Sequence, residues 1–210
     1  MAISGLILVG FVVMHLLGNL LIYGGQDALN AYAQKLRHLG PMLWVARGIL
    51  FAAVVVHIRT SIQLSIENAR ARPAGYRVRR MEETTVAART MLLSGLLVVA
   101  YLAYHLLHFT FRVTNPGISH GTDALGRHDV YSMMVLSFQI RAISLAYVLG
   151  MAAIFFHLHH GIASSFQTLG LNNERLLPIL THLGRLLAFL LFIGYISIPL
   201  AVLLGFIGRV

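Results

Sequence analysis

The chain of 210 residues contains no cysteine. That excludes disulfides, iron–sulfur clusters and covalently attached c-type haem, whose attachment motif needs a cysteine pair ahead of a histidine. Charge is scarce too: 11% of residues are Asp, Glu, Lys or Arg, against about 25% in an ordinary soluble domain. Acids are the scarcer sign, seven in all. There is no Gly-rich dinucleotide fingerprint. Any metal must therefore be held by histidine, of which there are eleven.

What replaces charge is apolar length. Hydrophobic residues make up 58% of the chain, its mean hydropathy is +0.77, and several apolar runs reach the span of a bilayer. The expected fold is all-α: an integral membrane bundle of five transmembrane helices at about 2–23, 41–66, 91–111, 140–166 and 179–207. The turn signal Gly24-Gly25-Gln26-Asp27 precedes an amphipathic stretch, 28–39, expected to lie along the membrane surface. Pro73-Ala74-Gly75 ends the second run, Thr114-Asn115-Pro116-Gly117 breaks after the third, and a polar segment follows to about Val130. No internal repeat or low-complexity segment stands out, so 1–210 reads as a single transmembrane domain.

The net charge of +9 comes from fifteen Arg and one Lys against the acids. Its position decides its meaning. Arg70, Arg72, Arg77, Arg79, Arg80 and Arg89 share one loop between apolar runs, with Tyr76 the sole aromatic among them. This is a positive-inside loop rather than a nucleic-acid patch. It places the loop 70–89 and the N-terminus in the cytoplasm and the C-terminus outside, for a multi-pass protein of the cell inner membrane. Met1-Ala-Ile-Ser-Gly lacks the basic start of a signal peptide, so the first helix is expected to be retained. It begins so abruptly that a longer native N-terminus is expected.

His15, His57, His105 and His157 each lie deep within one of the first four apolar runs. Ionisable groups in the bilayer core are costly and by default mark function. At 1.5 Å per helical residue, His15 and His105 stand about 20 Å from the cytoplasmic ends of their helices, and His57 and His157 about 14 Å. Topology thus sorts them into an outer pair and an inner pair. Two ligands from facing helices at one level are what a bundle needs to clamp a planar metal macrocycle by its axial positions, so two pairs point to two stacked haems.

These residues resemble the single-subunit, five-helix, dihaem cytochrome b anchor of succinate:quinone oxidoreductases and fumarate reductases. The carrying segments are Met14-His15-Leu16-Leu17-Gly18-Asn19, Val56-His57, Ala103-Tyr104-His105 and Ile154-Phe155-Phe156-His157-Leu158-His159-His160-Gly161, with Asp129-Val130-Tyr131-Ser132-Met133 after the long loop. The four histidines stand 42, 48 and 52 residues apart. The resemblance implies two bis-histidine b haems, His15 with His105 for the distal one and His57 with His157 for the proximal one. It further implies a flavoprotein and an iron–sulfur subunit as partners, and electron transfer to a membrane quinone, menaquinone or ubiquinone. Succinate chemistry would then occur on a partner, and the complex admits a higher oligomer.

Several positions admit two roles. His108, one turn from His105, is the alternative ligand there. His160 shares a face with His157 and is either a replacement ligand or a propionate contact. Arg59 is either a propionate partner or a lipid-headgroup anchor. Ser61, Gln63 and Ser65 face either a quinone or another helix. His159 is expected near the membrane surface, and His38, His120, His128 and His182 are expected to be solvated. Asp27 is the only acid between helices one and two, either part of a proton route or a cap for the following short helix. The competing functions are another b-type cytochrome and a haemless anchor or transporter with proton-relaying histidines. The first is opposed by one deep histidine per helix, the second by the absence of inverted repeats.

Overall fold

The computed structural model describes residues 1–71, 91–171 and 173–208. Arg72, Arg77, Arg79, Arg80, Arg89 and the Pro73-Ala74-Gly75 break lie outside the described residues. Helix α1, Ala2–Asn19, tightens into a 3-10 segment, Leu20–Gly24. Gly25 then takes φ +88°, a left-handed value that glycine adopts without strain, and turns the chain into α2, Gly25–His38. Helix α3, Pro41–Arg70, starts at a proline, where the missing N–H costs no helical bond. Helix α4, Met91–His105, continues as a π turn, Leu106–Thr110, that closes at Arg112 with φ +58°. The short α5, Pro116–Ser119, is followed by α6, Val130–Gln139, then α7, Arg141–Thr168, and α8, Leu176–Leu203.

Five helical stretches are long and apolar enough to cross a membrane, and no strand occurs among the described residues. The protein is an all-α membrane bundle. The ends of the spans shift from the sequence expectations. The amphipathic helix begins at Gly25 rather than 28, the second span runs on to Arg70, and the fifth occupies Leu176–Leu203 rather than 179–207. Pro178 falls in the first turn of α8, where proline is tolerated, so it does not delay the helix.

Helix α6 is an element that the sequence expectations leave unassigned between the polar segment and the fourth span. It is apolar but too short to cross a bilayer, and Ile140, with an extended backbone, ψ 107°, divides it from α7. Two local bonds hold the division. The Asp129 carboxylate accepts from the Ser132 N–H at 3.0 Å and caps α6, and the Ser144 hydroxyl donates to the Phe138 carbonyl at 2.6 Å across the break.

Helix α7 is the hub, packed against α8, α4 and α1, while α1 also carries α3. Close approach is bought with small residues, as is usual where lipid gives no hydrophobic drive between helices. A Cβ on Gly150 of α7 would sit 2.1 Å from the Tyr101 ring of α4. A buried apolar cluster that includes Ile22, Leu29, Met134, Val135, Phe138, Tyr147, Ile198 and Val202 closes the end of the bundle where α2 and α6 lie. Helix α3 is the least covered span, with Trp44 70% and Phe51 72% exposed, an apolar surface for lipid.

Candidate functional site

The bundle brings the four deep histidines together in two pairs. His15 of α1 and His105 of α4 have ring centroids 5.9 Å apart with planes at 83°. His57 of α3 and His157 of α7 have centroids 6.2 Å apart at 73°. Neither α1 with α4 nor α3 with α7 is among the closely packed helix pairs, so the rings reach toward each other between helices that stand apart. Two imidazoles that ligate one ion from opposite sides, at about 2 Å each, have centroids about 6 Å apart. The observed spacing fits.

Hydroxyl groups orient the inner pair. Ser4 Oγ donates its one proton to the Met1 carbonyl at 2.8 Å and lies 3.4 Å from His57 Nδ1. Ser94 Oγ donates to the Met91 carbonyl at 3.1 Å and lies 3.3 Å from His157 Nδ1. With its proton spent, each serine accepts from the Nδ1–H of its histidine. That tautomer leaves the lone pair on Nε2, the arrangement by which a ligating histidine is usually held. The following glycines make room: a Cβ on Gly5 or Gly95 would lie 3.3 Å from the His57 or His157 ring.

This arrangement is a repeat that the reading of a repeat-free chain missed. Met1-Ala-Ile-Ser-Gly-Leu and Met91-Leu-Leu-Ser-Gly-Leu are offset by 90 residues, as are His15 and His105. Ala52-Ala53 before His57 and Ala152-Ala153 before His157 are likewise offset by 100. Ala53 and Ala153 are both buried. The signal was present in the sequence but short.

The outer pair is held differently. The His15 ring stacks on Phe11, one turn back, at 5.2 Å and 16°, and Asn19 donates to the His15 carbonyl at 2.7 Å. His105 Nδ1 lies 3.4 Å from the Tyr147 hydroxyl. His108, the alternative ligand, is fully buried with both ring nitrogens engaged: Nδ1 with the Tyr147 hydroxyl at 3.0 Å and Nε2 with Ser137 Oγ at 3.2 Å. It has no lone pair left for a metal. His105 is the residue that faces His15.

The other candidates fall into place around these pairs. Arg59 is exposed on α3, and His160 is half-buried on α7. Ser61 Oγ donates to the His57 carbonyl at 2.7 Å, Ser65 Oγ to the Ser61 carbonyl at 2.9 Å, and Gln63 to Glu67 at 2.8 Å. These three polar groups are satisfied within α3. His159 packs on Phe155 at 5.6 Å. His38, His120 and His182 are exposed as expected, but His128 is half-buried, with its ring nitrogens 3.2 and 3.4 Å from the Arg112 guanidinium. Burial, then the nearby Arg37 and Arg112 charges, push its pKa down, which keeps it a neutral acceptor.

A polar cluster at the α2 end was missed by the sequence reading. Asn30, fully buried, donates to Asp123 at 3.1 Å and to Asp129 at 3.0 Å and accepts from the Tyr131 N–H at 3.0 Å. Arg127 pairs with Asp123 at 2.7 Å and with Asp27 at 2.8 Å. Asp27 is therefore an ion-pair partner and not the cap of α2, because the turn at Gly24 and Gly25 puts its carboxylate toward Arg127. Burial pushes both the Asp123 and Asp129 carboxyls up. Bonds from Arg127 and Asn30 to Asp123, and from Ser132, Asn30 and Gln26 to Asp129, outweigh it and hold both below the usual carboxylate range. A cavity of about 220 Å³ beside this cluster is lined by Arg37, His38, Gln34 and His128 among others.

Among the described residues no three metal-binding side chains gather at one point. An ion held by either pair would take its remaining ligands from a group bound with it, as iron does in a haem macrocycle. The ring spacing and the fixed tautomers of His57 and His157 fit such a group. No family model matches the chain, and no curated protein and no solved structure matches it either.

Proposed function

We propose that this chain is a dihaem cytochrome b membrane anchor that passes electrons between an iron–sulfur subunit and membrane quinone, in a succinate:quinone oxidoreductase or fumarate reductase. The observation that carries the reading is the presence of two histidine pairs, each from two helices, with ring spacings of 5.9 and 6.2 Å. His57 with His157 would hold one haem b and His15 with His105 the other. Haem, when bound, supplies one-electron redox chemistry at a potential set by its ligands and surroundings.

The chain's own residues do the rest. Ser4 and Ser94 keep His57 and His157 in the tautomer that presents Nε2. Phe11 and Asn19 fix His15. Tyr101, Tyr104, Phe109 and Tyr147 pack around His105 and His108 and exclude water from the outer pair. The arginine loop 70–89, by the positive-inside rule, faces the cytoplasm, which puts the His57 and His157 pair nearer the soluble partners. The absence of cysteine assigns the iron–sulfur steps to those partners, and the absence of a Gly-rich dinucleotide fingerprint assigns them the flavin step.

The test is a dithionite-reduced minus oxidised spectrum of the detergent-purified complex, with haem quantified per chain. Two b haems per chain support the reading. None leaves a membrane anchor or transporter.

A further inference from the structure

We propose that Tyr147 and His108 act as positioning residues that tune His105 electronically and so set the outer histidine pair apart from the inner one. This rests on the haem reading above. The tyrosine hydroxyl stands between two imidazoles, 3.0 Å from His108 Nδ1 and 3.4 Å from His105 Nδ1. It has one proton to give and accepts from the other side. His108 in turn meets Ser137 Oγ through Nε2 at 3.2 Å. Four side chains thus form one file: His105, Tyr147, His108, Ser137.

Ligation fixes the direction of that file. If His105 presents a lone pair at Nε2, its proton is on Nδ1 and is donated to the Tyr147 oxygen. Tyr147 then donates to His108 Nδ1, the shorter of its two contacts, and His108 Nε2–H donates to Ser137. The opposite polarity would put a proton on His105 Nε2 and end ligation there.

An acceptor that is itself donating onward is a stronger acceptor. The file therefore draws the His105 Nδ1 proton outward and leaves the ring richer in electrons, which favours a more positive metal. Burial protects the effect: Ser137 and His108 are fully buried, and the rings of Tyr104, Phe109 and Phe138 surround the file, so water does not compete. The inner pair has only a one-step extension, with no second ring in it. Its Nδ1 protons end on Ser4 and Ser94, whose own protons stop at backbone carbonyls.

The experiment is a redox titration of the two b haems in the purified complex carrying Tyr147→Phe, which keeps the ring and removes the hydroxyl. His15→Ala identifies which haem belongs to the outer pair. The midpoint potential of that haem should rise while the other is unmoved, and Ser94→Ala should move the inner one instead. Ser137→Ala, at the far end of the file, should raise the same outer potential by less, and serves if Tyr147→Phe does not assemble. Two haems with an unmoved outer potential, or with both potentials shifted equally by Tyr147→Phe, would overturn the proposal alone. A wild-type protein with no b haem would overturn the haem reading and this proposal with it.

Discussion

His57 Nδ1 lies 3.4 Å from the Ser4 hydroxyl, and Ser4 has already given its proton to the Met1 carbonyl. The serine can only accept, so it selects the tautomer of the histidine. Ser94 does the same for His157. Loss of such an outer partner typically costs 10–100-fold in metal affinity. Ser4→Ala and Ser94→Ala are each expected to weaken retention of the inner haem by roughly that factor. The check is haem content per chain after dilution into excess apo-myoglobin, with the outer haem as internal reference.

The pairing itself makes a sharper prediction. His57→Ala and His157→Ala should each leave one b haem per chain, and it should be the same one. His15→Ala and His105→Ala should each leave the other. His108→Gln should keep both, because its ring nitrogens are bound to Tyr147 and Ser137 rather than turned toward His15. It should instead lower stability by about 1–3 kcal/mol, the cost of a buried polar group left without its partner. Haem quantification and thermal unfolding in detergent separate the two effects. Retention of both haems after changing His105 and His157 together would defeat the assignment.

The spans were readable because apolar runs of bilayer length stand out where charge is scarce, and the pairing of helices because a histidine in hydrocarbon is costly, so four of them carry information. Counting residues from the ends of the runs was enough to order His57 below His15 by level. What was not readable depended on contacts distant in sequence. Whether His105 or His108 faces His15 turns on Ser137 and Tyr147, which lie 29 and 39 residues beyond His108. Helix α6 was hidden because its ten residues are too few to register as a span, and it is held by the Asp129 cap and by contacts with α2 and α8 that lie far off in sequence. The repeat of Ser-Gly ahead of His15 and His105 was legible but too short to register without the hydrogen bonds that explain it.

Gly150 reports on helix packing beside the outer pair. A Cβ there would stand 2.1 Å from the Tyr101 ring, well inside contact distance. Gly150→Ala must push Tyr101 or separate α4 from α7, and overpacking of this kind costs about 1–3 kcal/mol. Tyr101 also packs beside His105, with ring centroids 6.0 Å apart and planes tilted by 30°. The substitution should therefore lower thermal stability and broaden the spectrum of the outer haem. Gly48, with open space around it, is the control: Gly48→Ala should change neither.

The polar cluster at the α2 end predicts an acid-sensitive cap on the bundle. Asp123 and Asp129 have folded pKa values below those of the unfolded chain, so the folded state binds fewer protons. Their contribution to stability is complete above the unfolded value, near about pH 4. It is lost as pH falls through the folded values. Asn30 holds both carboxylates at once, at 3.1 and 3.0 Å. Asn30→Leu removes both donations, leaving Asp123 to Arg127 and Asp129 to Gln26 and Ser132, and takes away the acceptor of the Tyr131 N–H, a buried donor whose loss of partner costs about 1–3 kcal/mol. Asn30→Asp is expected to be worse at neutral pH, because it places a third carboxylate against two. Its penalty should shrink on acidification, the reverse of the wild-type trend, as the new group takes up a proton and donates again. Thermal unfolding in detergent from pH 7 to pH 3 distinguishes the two: a wild-type curve that is flat across that range, with Asn30→Asp parallel to it, would show that the cluster does not hold α2 to α6.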